Sequence, residues 1–473
     1  MLTSTDLLFL ILRVAIGNKR QLPLILSSNE WEEVLSLLQR HALLGIGFVA
    51  IQKLPREQWP PANVTLTLTA YATQIKAKNV ELNEECHEVV RRMNHDGIEA
   101  VVIKGQSNWE HYPEGLREYR CAGDIDLWLK LTNDSGIPIA VQRGDSVEYE
   151  YYKGVKGIIE YARLQRRLRG DKSQFKPLYY HVEYHTDKGT EVEMHYRPSF
   201  FCSPIRNMRM QRWFNDQFDV CLKNNCQLGF PVLTSSVNVV YLLVHLYRHV
   251  FEGGVGLRQL MDYYFALKVW HNDVMECKDL QSQGMWNEGM GTPVMSKEEV
   301  MAVIRSFGME KFAGAVMWVL NEVFGGANEN DNENENGPRR TQRNTDGGPQ
   351  ADFVGECESS EFKRNLNGCP QADDGGERKL KRINRELKEN NFEPWMICEP
   401  NEKEGRKLLE EIMKGGNFGQ YDTRDAALKK GGMVKHGIWK LKRVMRLVRS
   451  YPEEALWEPV FRVWHLGWRM IHG

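Results

Sequence analysis

The fold is decided by two short apolar runs, IEAVVI at residues 98–103 and DIDLWL at residues 124–129. The first run is rich in β-branched residues, which is typical of a strand buried on both faces. The second alternates polar and apolar residues at its start, and this alternation predicts a second strand. Lys104 and Gly105 end the first run, and residues 106–112 are long enough for one or two helical turns. The stretch therefore predicts the beginning of a small sheet.

Helical and strand-like patterns continue on both sides of this stretch. Residues 157–169 form a basic helical pattern, and residues 179–196 contain two further strand-like runs around a turn. Because helices precede the sheet and follow it, we expect an α+β fold with a small mixed β-sheet core flanked by N- and C-terminal helical domains. The expected divisions are an N-terminal helical domain (1–97), an α/β core (98–234), a helical domain (235–324), a low-complexity insertion expected to be disordered (325–400) and a C-terminal helical segment packing on the core (401–473).

Composition limits the classes of function. The 473 residues carry a formal net charge of −1, so a site for a polyanion would have to be a local patch. The longest N-terminal apolar run, residues 7–16, is far shorter than a bilayer span and lacks the flanks of a signal peptide. The nine cysteines are scattered and form no C-x-x-C pair, which favours reduced thiols. We therefore expect a cytoplasmic protein without a membrane span.

Two carboxylates lie at the start of the second predicted strand. Asp124 and Asp126 are separated by one residue, so side-chain alternation puts both on one face. Like charges at that spacing need a counter-ion, and ligands that are all oxygen favour Mg²⁺ or Mn²⁺ over zinc. Glu193 shares a face of a later strand-like run with Glu191 and His195, and we take Glu193 as the third metal ligand. The alternative is a solvated strand edge, where D-x-D pairs also occur.

The turn after the first predicted strand is a candidate phosphate site. Ligands of α/β sheets bind beyond the carboxyl ends of strands, which is where Lys104 and Gly105 lie. Gly105 would let the backbone approach a phosphate, Lys104 would add a point charge and Ser107 a hydrogen bond. An ordinary strand-to-helix turn explains the same residues. Arg120 precedes the D-x-D strand and could contact a triphosphate or remain a solvated arginine.

Several of these segments resemble the uncharacterised bacterial nucleotidyltransferase family of the DNA polymerase beta-like superfamily. The resemblance is carried by Val102-Ile103-Lys104-Gly105, Tyr112-Pro113, Arg120, Gly123-Asp124-Ile125-Asp126-Leu127, Val192-Glu193-Met194-His195-Tyr196-Arg197, His245, His249, Gly256-Leu257-Arg258-Gln259-Leu260-Met261-Asp262 and Gly415-Gly416-Asn417-Phe418-Gly419. It implies a nucleotidyl-transfer fold in which Asp124, Asp126 and Glu193 are the catalytic metal ligands. The superfamily's usual phosphate turn is Gly-Ser or Gly-Gly, whereas Gln106 separates Gly105 from Ser107 here.

The reaction implied is transfer of a nucleoside monophosphate from a nucleoside triphosphate to a hydroxyl group, with Mg²⁺ or Mn²⁺ and release of pyrophosphate. The predicted nucleotide-binding residues are Lys104, Gly105, Ser107, Arg120 and Arg258. His195 is expected to order a catalytic carboxylate or to contact substrate, although a half-buried strand histidine is an equal alternative. The favoured acceptor is a small molecule or a protein. Nucleic acid is less favoured, because no RNA-binding module is visible.

Two other functions stay open. The irregular turn at Gln106 favours a catalytically silent nucleotide-binding or regulatory protein of the same fold, and an RNA-modifying toxin–antitoxin component is the third alternative. Basic residues at 163–169 and 440–449 are candidate polyanion surfaces, although charge runs are usually solvated. We expect the C-terminal tryptophans Trp457, Trp464 and Trp468 to anchor their helix to the core.

Overall fold

The structure is a computed structural model. It describes residues 2–132, 134–143, 146–283, 294–325, 393–429 and 431–472. The expected insertion at 325–400 lies mostly outside these residues. At its C-terminal end Trp395, Met396 and Ile397 are described and buried, so this end packs into the core. The division into domains stays a prediction, and the described residues 2–325 and 395–472 belong to one compact unit.

Four helices precede the sheet. Capping boxes at Thr3 and Ser27 begin the first two, because each hydroxyl accepts from a backbone N–H that the helix leaves unpaired. The last helix ends at His95, and Gly97 follows in the left-handed region at φ 81°. The chain can therefore turn directly into the first strand. The helices are α1 Ser4–Ala15, α2 Ser28–Arg40, α3 Leu44–Lys53 and α4 Ala62–His95.

The sheet has four strands in the order β1-β2-β6-β5. Strand β2 is antiparallel to β1 and parallel to β6, and β5 and β6 are antiparallel, so the sheet is mixed as predicted. Helices α4 and α5 supply apolar side chains to the core under the sheet, including Leu82, Met93 and Ile158. The strands and helix of this region are β1 Ile98–Val102, β2 Ile125–Leu131, β3 Ile137–Arg143, β4 Ser146–Tyr152, α5 Gly154–Leu168, β5 His181–His185 and β6 Glu191–His195.

A two-stranded hairpin of β3 and β4 was not identified in the sequence. Residues 147–151 read VEYEY, and this alternation is the signal that a strand prediction could have used. Val147, Tyr149 and Tyr151 are all exposed. The exposed face of β4 is therefore apolar and aromatic, whereas Ile137 and Ile139 of β3 are buried in the core.

Helices dominate the described residues that follow β6. They are α6 Pro204–Lys223, α7 Ser235–Glu252, α8 Leu257–Ser282, α9 Lys297–Ser306, α10 Glu310–Phe324, α11 Glu402–Gly415, α12 Ala426–Lys429, α13 Met433–Leu447 and α14 Pro452–His472. Helix α7 packs on α8, and α10 packs on α11 and contacts α1. The predicted α+β class, with helical regions at both ends of a small mixed sheet, is confirmed. Among the described helices, none combines the length and apolar character of a membrane span.

Candidate active site

The parallel pairing of β2 and β6 brings carboxylates from distant segments together. In the register of the two strands Asp126 lies opposite Glu193. Asp124 immediately precedes β2, and its carboxylate oxygen lies within 4.8 Å of oxygens of the other two. Asp126 is completely buried, whereas Asp124 is partly exposed. The three predicted ligands therefore form one cluster that opens to solvent at Asp124.

Lys104 supplies the positive charge at the centre of this cluster. Its Nζ lies 2.8 Å from Asp126 Oδ1, 3.3 Å from Glu193 Oε2 and 3.6 Å from Asp124 Oδ2. Burial by itself lowers the pKa of the lysine, but the three carboxylates raise that pKa well above its ordinary value. The side chain predicted to hold phosphate thus acts as counter-ion to the carboxylates in this structure.

The two buried carboxylates differ in their tendency to ionise. Burial raises the pKa of Asp126 well above its usual value, and the neighbouring Asp124 charge raises it further. Burial also opposes ionisation of Glu193, but Lys104, His181 and a hydrogen bond from His195 hold the pKa of Glu193 well below its usual value.

Two histidines extend the cluster along the sheet. His195 Nε2 lies 2.9 Å from Glu193 Oε2 and 3.2 Å from Asp126 Oδ1, so one imidazole bridges both carboxylates. His181 on β5 was missed by the sequence analysis, and its Nδ1 lies 3.5 Å from Glu193 Oε2. The bridging geometry favours an ordering role for His195, which stays a prediction. Only the strand pairing reveals His181, because no sequence spacing links it to Glu193.

The donor atoms fit a divalent metal ion. Six-coordinate Mg²⁺ holds oxygens at about 2.1 Å, which places neighbouring ligand oxygens roughly 3 Å apart and opposite ones roughly 4 Å apart. The oxygens of Asp124, Asp126 and Glu193 all lie within 4.8 Å of one another. Asp126 Oδ2 is buried and has no hydrogen-bond partner among the described residues. His181, Glu193 and His195 form a second close group, whose nitrogen donors would suit zinc.

The contacts of Lys104 give a testable expectation for the metal-free protein. Lys104→Met should lower the free energy of unfolding by roughly 2 kcal/mol, since it leaves buried carboxylates without a counter-ion. Mg²⁺ or Mn²⁺ should then raise the thermal midpoint of this variant more than that of the wild type. The matched control is Lys130→Met on β2, whose Nζ bonds the Asn215 carbonyl at the surface. If both variants lost the same free energy of unfolding, and metal raised the midpoint of Lys104→Met no more than that of the wild type, Lys104 would not be the counter-ion of the carboxylates.

The turn after β1 has the backbone geometry expected of a close approach. Gly105 has φ 63°, and a Cβ there would lie 3.3 Å from the Asp124 carbonyl oxygen. Ser107 is buried, and its Oγ has no partner among the described residues, whereas Gln106 bonds Asn83 on α4. Gln106 therefore fixes the turn to the N-terminal helices. The phosphate-binding role of Gly105 and Ser107 stays a prediction.

Arg120 is engaged in a buried ion pair with Asp262. Its Nε and Nη2 donate to the two carboxylate oxygens of Asp262 at 2.7 and 2.8 Å, and the Tyr112 hydroxyl donates to the same carboxylate at 2.7 Å. Arg258 Nη1 donates to the Cys121 carbonyl at 2.9 Å. The hydrogen bond of Arg258 places its guanidinium beside the loop that leads to Asp124. In Arg120, by contrast, both Nε and Nη2 are already bonded to Asp262. Their roles in nucleotide binding stay predictions.

Helix α7 contributes a histidine pair near the carboxylates. His245 and His249 approach each other with 3.0 Å between their Nε2 atoms, and His249 lies against Phe418 at 5.1 Å between ring centroids. Burial, helped by nearby cations, lowers the pKa of His249 to about 4. The three-residue groups that could hold a metal in the described part of the chain do not include either histidine.

The comparison with protein-family models gave a match for this chain. The family model described as an uncharacterised nucleotidyltransferase matches residues 27–283, more than half of the chain. This chain belongs to the uncharacterised nucleotidyltransferase family. Membership supports a general nucleotidyl-transfer activity and confirms an uncharacterised nucleotidyltransferase family, whereas the bacterial origin and the DNA polymerase beta-like superfamily expected from the sequence stay predictions. Searches of curated proteins and of solved structures gave no match.

The family segment corresponds to recognisable parts of the fold. It begins just before α2 and ends just after α8, so it includes the whole four-stranded sheet. All residues predicted for the nucleotidyltransferase site lie inside this segment, including Lys104 and Arg258. Helices α9 to α14 lie outside it.

Proposed function

We propose that the protein is a metal-dependent nucleotidyltransferase of the DNA polymerase beta-like superfamily. It would transfer a nucleoside monophosphate from a nucleoside triphosphate to a hydroxyl group of a small molecule or a protein. The observation that carries the proposal is the cluster of Asp124, Asp126 and Glu193 oxygens on two adjacent parallel strands. Such a cluster would hold Mg²⁺ or Mn²⁺, which would supply charge stabilisation for the transferred phosphoryl group when bound.

We also propose a cytoplasmic location, since the seven described cysteines are free thiols.

The protein's own residues would position the reactants. The acceptor oxygen forms a bond to the α-phosphorus, the bond to the pyrophosphate leaving group breaks, and the proton of the acceptor hydroxyl passes to water. Lys104 is the nearest cation to the carboxylates and would contact the triphosphate once a metal ion replaces it as counter-ion. His195 would keep Asp126 and Glu193 in position through its bridging nitrogen. Arg258 would reach the nucleotide from α8.

The first experiment measures nucleotide binding by thermal shift. ATP, GTP, CTP and UTP are each added with Mg²⁺, with Mn²⁺ and with chelator. We expect one nucleotide to raise the midpoint only with metal, by an amount equivalent to about 2.7 kcal/mol at a concentration 100 times its dissociation constant. The variant Asp124→Ala/Asp126→Ala should fold and lose this shift. Absence of a shift with every nucleotide in the wild type would overturn the proposal.

The second experiment measures transfer itself. The protein is incubated with the nucleotide that binds, labelled at its α-phosphate, together with pools of small metabolites or of proteins. We expect one pyrophosphate to be released for each label that is transferred to the acceptor. Both products should be absent with the variant Asp124→Ala/Asp126→Ala. The partition of label between the two pools identifies the acceptor class.

A catalytically silent nucleotide-binding protein is the second candidate. It is favoured by the position of Lys104, whose ammonium fills the centre of the carboxylate cluster with contacts of 2.8 to 3.6 Å. If this arrangement persists, nucleotides would bind without metal and no pyrophosphate would be released. Metal-independent thermal shifts together with zero turnover would select this candidate over the enzyme.

A further inference from the structure

The C-terminal helices expose an unusual amount of apolar surface. On α13 the exposed large side chains follow one another at intervals of four, three and four residues, which places them on one stripe of the helix. On α14 they cover about half of the circumference. We call the two sets together the C-terminal apolar surface. It consists of Val434, Ile438, Leu441 and Met445 on α13 and of Leu456, Trp457, Val460, Val463, Trp464, Leu466, Met470 and Ile471 on α14.

The inner sides of these helices are fixed to the body of the protein. Trp439 on α13 is buried, and Arg443 donates to the Val250 carbonyl of α7 at 2.9 Å. Glu454 on α14 is completely buried and accepts from the Cys202 backbone N–H at 2.7 Å. The exposed stripes are therefore the outward faces of docked helices. Two of the three C-terminal tryptophans contact the body of the protein as expected, because Trp464 packs edge-on against Tyr179 at 5.2 Å between ring centroids and Trp468 packs on Tyr196, although Trp464 is also half exposed.

Charge is distributed unevenly around the surface. Residues 431–472 contain eight lysines and arginines but three glutamates. Lys435, Lys442, Arg446 and Arg449 are exposed along one flank of the α13 stripe, and Lys442 forms an ion pair with Asp425 at 2.9 Å. Two of the glutamates lie on the inner side of α14, whereas the Glu453 side chain is 42% exposed. Glu454 and Glu458 are buried, and Glu453 bonds Arg206 and the Ser203 hydroxyl on α6. The described outer surface of α13 and α14 is therefore mainly apolar, and it exposes more basic than acidic side chains.

We propose that α13 and α14 bind an anionic lipid surface, lying in its plane with the C-terminal apolar surface inserted between headgroups. An apolar stripe bordered by lysine and arginine, with tryptophan at the edge, is the pattern of helices that lie in the membrane interface. A second copy of the chain fits less well, since pairing this face with itself would bring like charges together. Nucleic acid is bound mainly through contacts with its phosphates, so an apolar surface is not suited to it.

A cavity beside α14 supports insertion into lipid. It has a volume of about 500 Å³ and lies between α14 and the start of α6, where it is lined by Met208, Trp457, Val460 and Trp464. The last three residues also belong to the C-terminal apolar surface. The cavity is therefore continuous with that surface, and its lining is suited to an acyl chain or to apolar contacts with lipid.

The test is flotation of the full-length protein with vesicles of phosphatidylcholine, with or without one quarter phosphatidylglycerol. We expect binding to the anionic vesicles that weakens with salt. The variant Val434→Gln/Val463→Gln/Met470→Gln changes residues that are 77%, 76% and 83% exposed, so its fold should be retained. It should bind at least about tenfold more weakly. Arg446→Gln/Arg449→Gln should lose roughly fivefold for each residue.

The matched control is Ile25→Gln/Leu66→Gln/Leu168→Gln, which makes the same chemical change at positions 66%, 69% and 71% exposed outside the surface. It should bind vesicles like the wild type. The proposal is overturned if wild-type protein does not float with anionic vesicles, or if both triple variants lose binding equally. It is also overturned if the wild type self-associates in sedimentation experiments without binding vesicles and the first triple variant does not. That result would assign the face to a second copy.

Discussion

Asp126→Asn should lower the rate of nucleotidyl transfer at least about 1,000-fold while leaving the metal-free protein as stable as the wild type or more stable. The asparagine keeps the shape of the side chain, so the contacts of Asp126 with Lys104 and His195 can be retained in part. What is lost is a charged metal ligand, and a thousandfold loss corresponds to about 4 kcal/mol of transition-state stabilisation. The rate should therefore fall without unfolding.

The stability of this variant depends on pH in a definite direction. Burial and the charge of Asp124 raise the pKa of Asp126 in the folded protein. The stability contributed by the protonated carboxyl is fully present below its unfolded pKa of about 4 and is lost as pH rises through the folded pKa. Asparagine cannot ionise, so the variant keeps this stability at all pH values. Its advantage in thermal midpoint over the wild type should grow as pH rises from 5 to 8, in the presence of chelator.

The control for Asp126→Asn is Glu99→Gln on the neighbouring strand β1. Glu99 lies opposite Lys130 in the strand register and away from the three ligands, so its replacement should leave the transfer rate near that of the wild type. If Asp126→Asn retained turnover, the carboxylate cluster would not be the metal site. If it lost activity together with its folding transition at pH 8, Asp126 would have a structural role instead.

The sequence alone predicted the strands of the four-stranded sheet and placed three candidate carboxylates on or next to two of them, while their role as metal ligands stays a prediction. The alternation in DIDLWL and in the run around Glu193 follows from strand geometry, and both runs are strands as predicted. The sequence could not show that β2 and β6 are parallel neighbours, although that pairing places Asp126 opposite Glu193. Strand order depends on packing between distant segments, and local periodicity contains no information about it.

Because local periodicity does not reveal long-range packing, the sequence also could not predict the partners of Lys104 and Arg120. Lys104 follows β1 in the sequence, where a phosphate contact was expected, but its long side chain extends to carboxylates on two other segments. Arg120 is separated from Asp262 by 142 residues. A sequence pattern can identify an arginine near a D-x-D motif, but its partner is determined by the docking of α8 against the sheet domain.

Arg120→Gln should lower the free energy of unfolding at pH 7 by about 3 to 5 kcal/mol, because it leaves Asp262 buried without its cation. Burial alone would raise the pKa of Asp262, but Arg120 and the hydrogen bonds from Arg120 and Tyr112 hold that pKa below its usual value. The ionised Asp262 therefore stabilises the wild type above about pH 4, and this stability is lost as pH falls through the folded pKa. The double variant Arg120→Gln/Asp262→Asn removes both charges and should recover part of the loss.

Denaturant unfolding at pH 7 and at pH 4 distinguishes this ion pair from a nucleotide contact. In Arg120→Gln the unpaired Asp262 should take up a proton at higher pH than in the wild type, so the stability difference should narrow toward pH 4. The nearby control Arg117→Gln, whose guanidinium lies over Trp109 at 4.9 Å, should cost about 1 kcal/mol or less. If Arg120→Gln instead unfolds like the wild type but loses the thermal shift with nucleotide, its Nη1, which has no partner among the described residues, is the group that contacts the triphosphate. The nucleotide-binding role predicted from the sequence would then take precedence over the structural one.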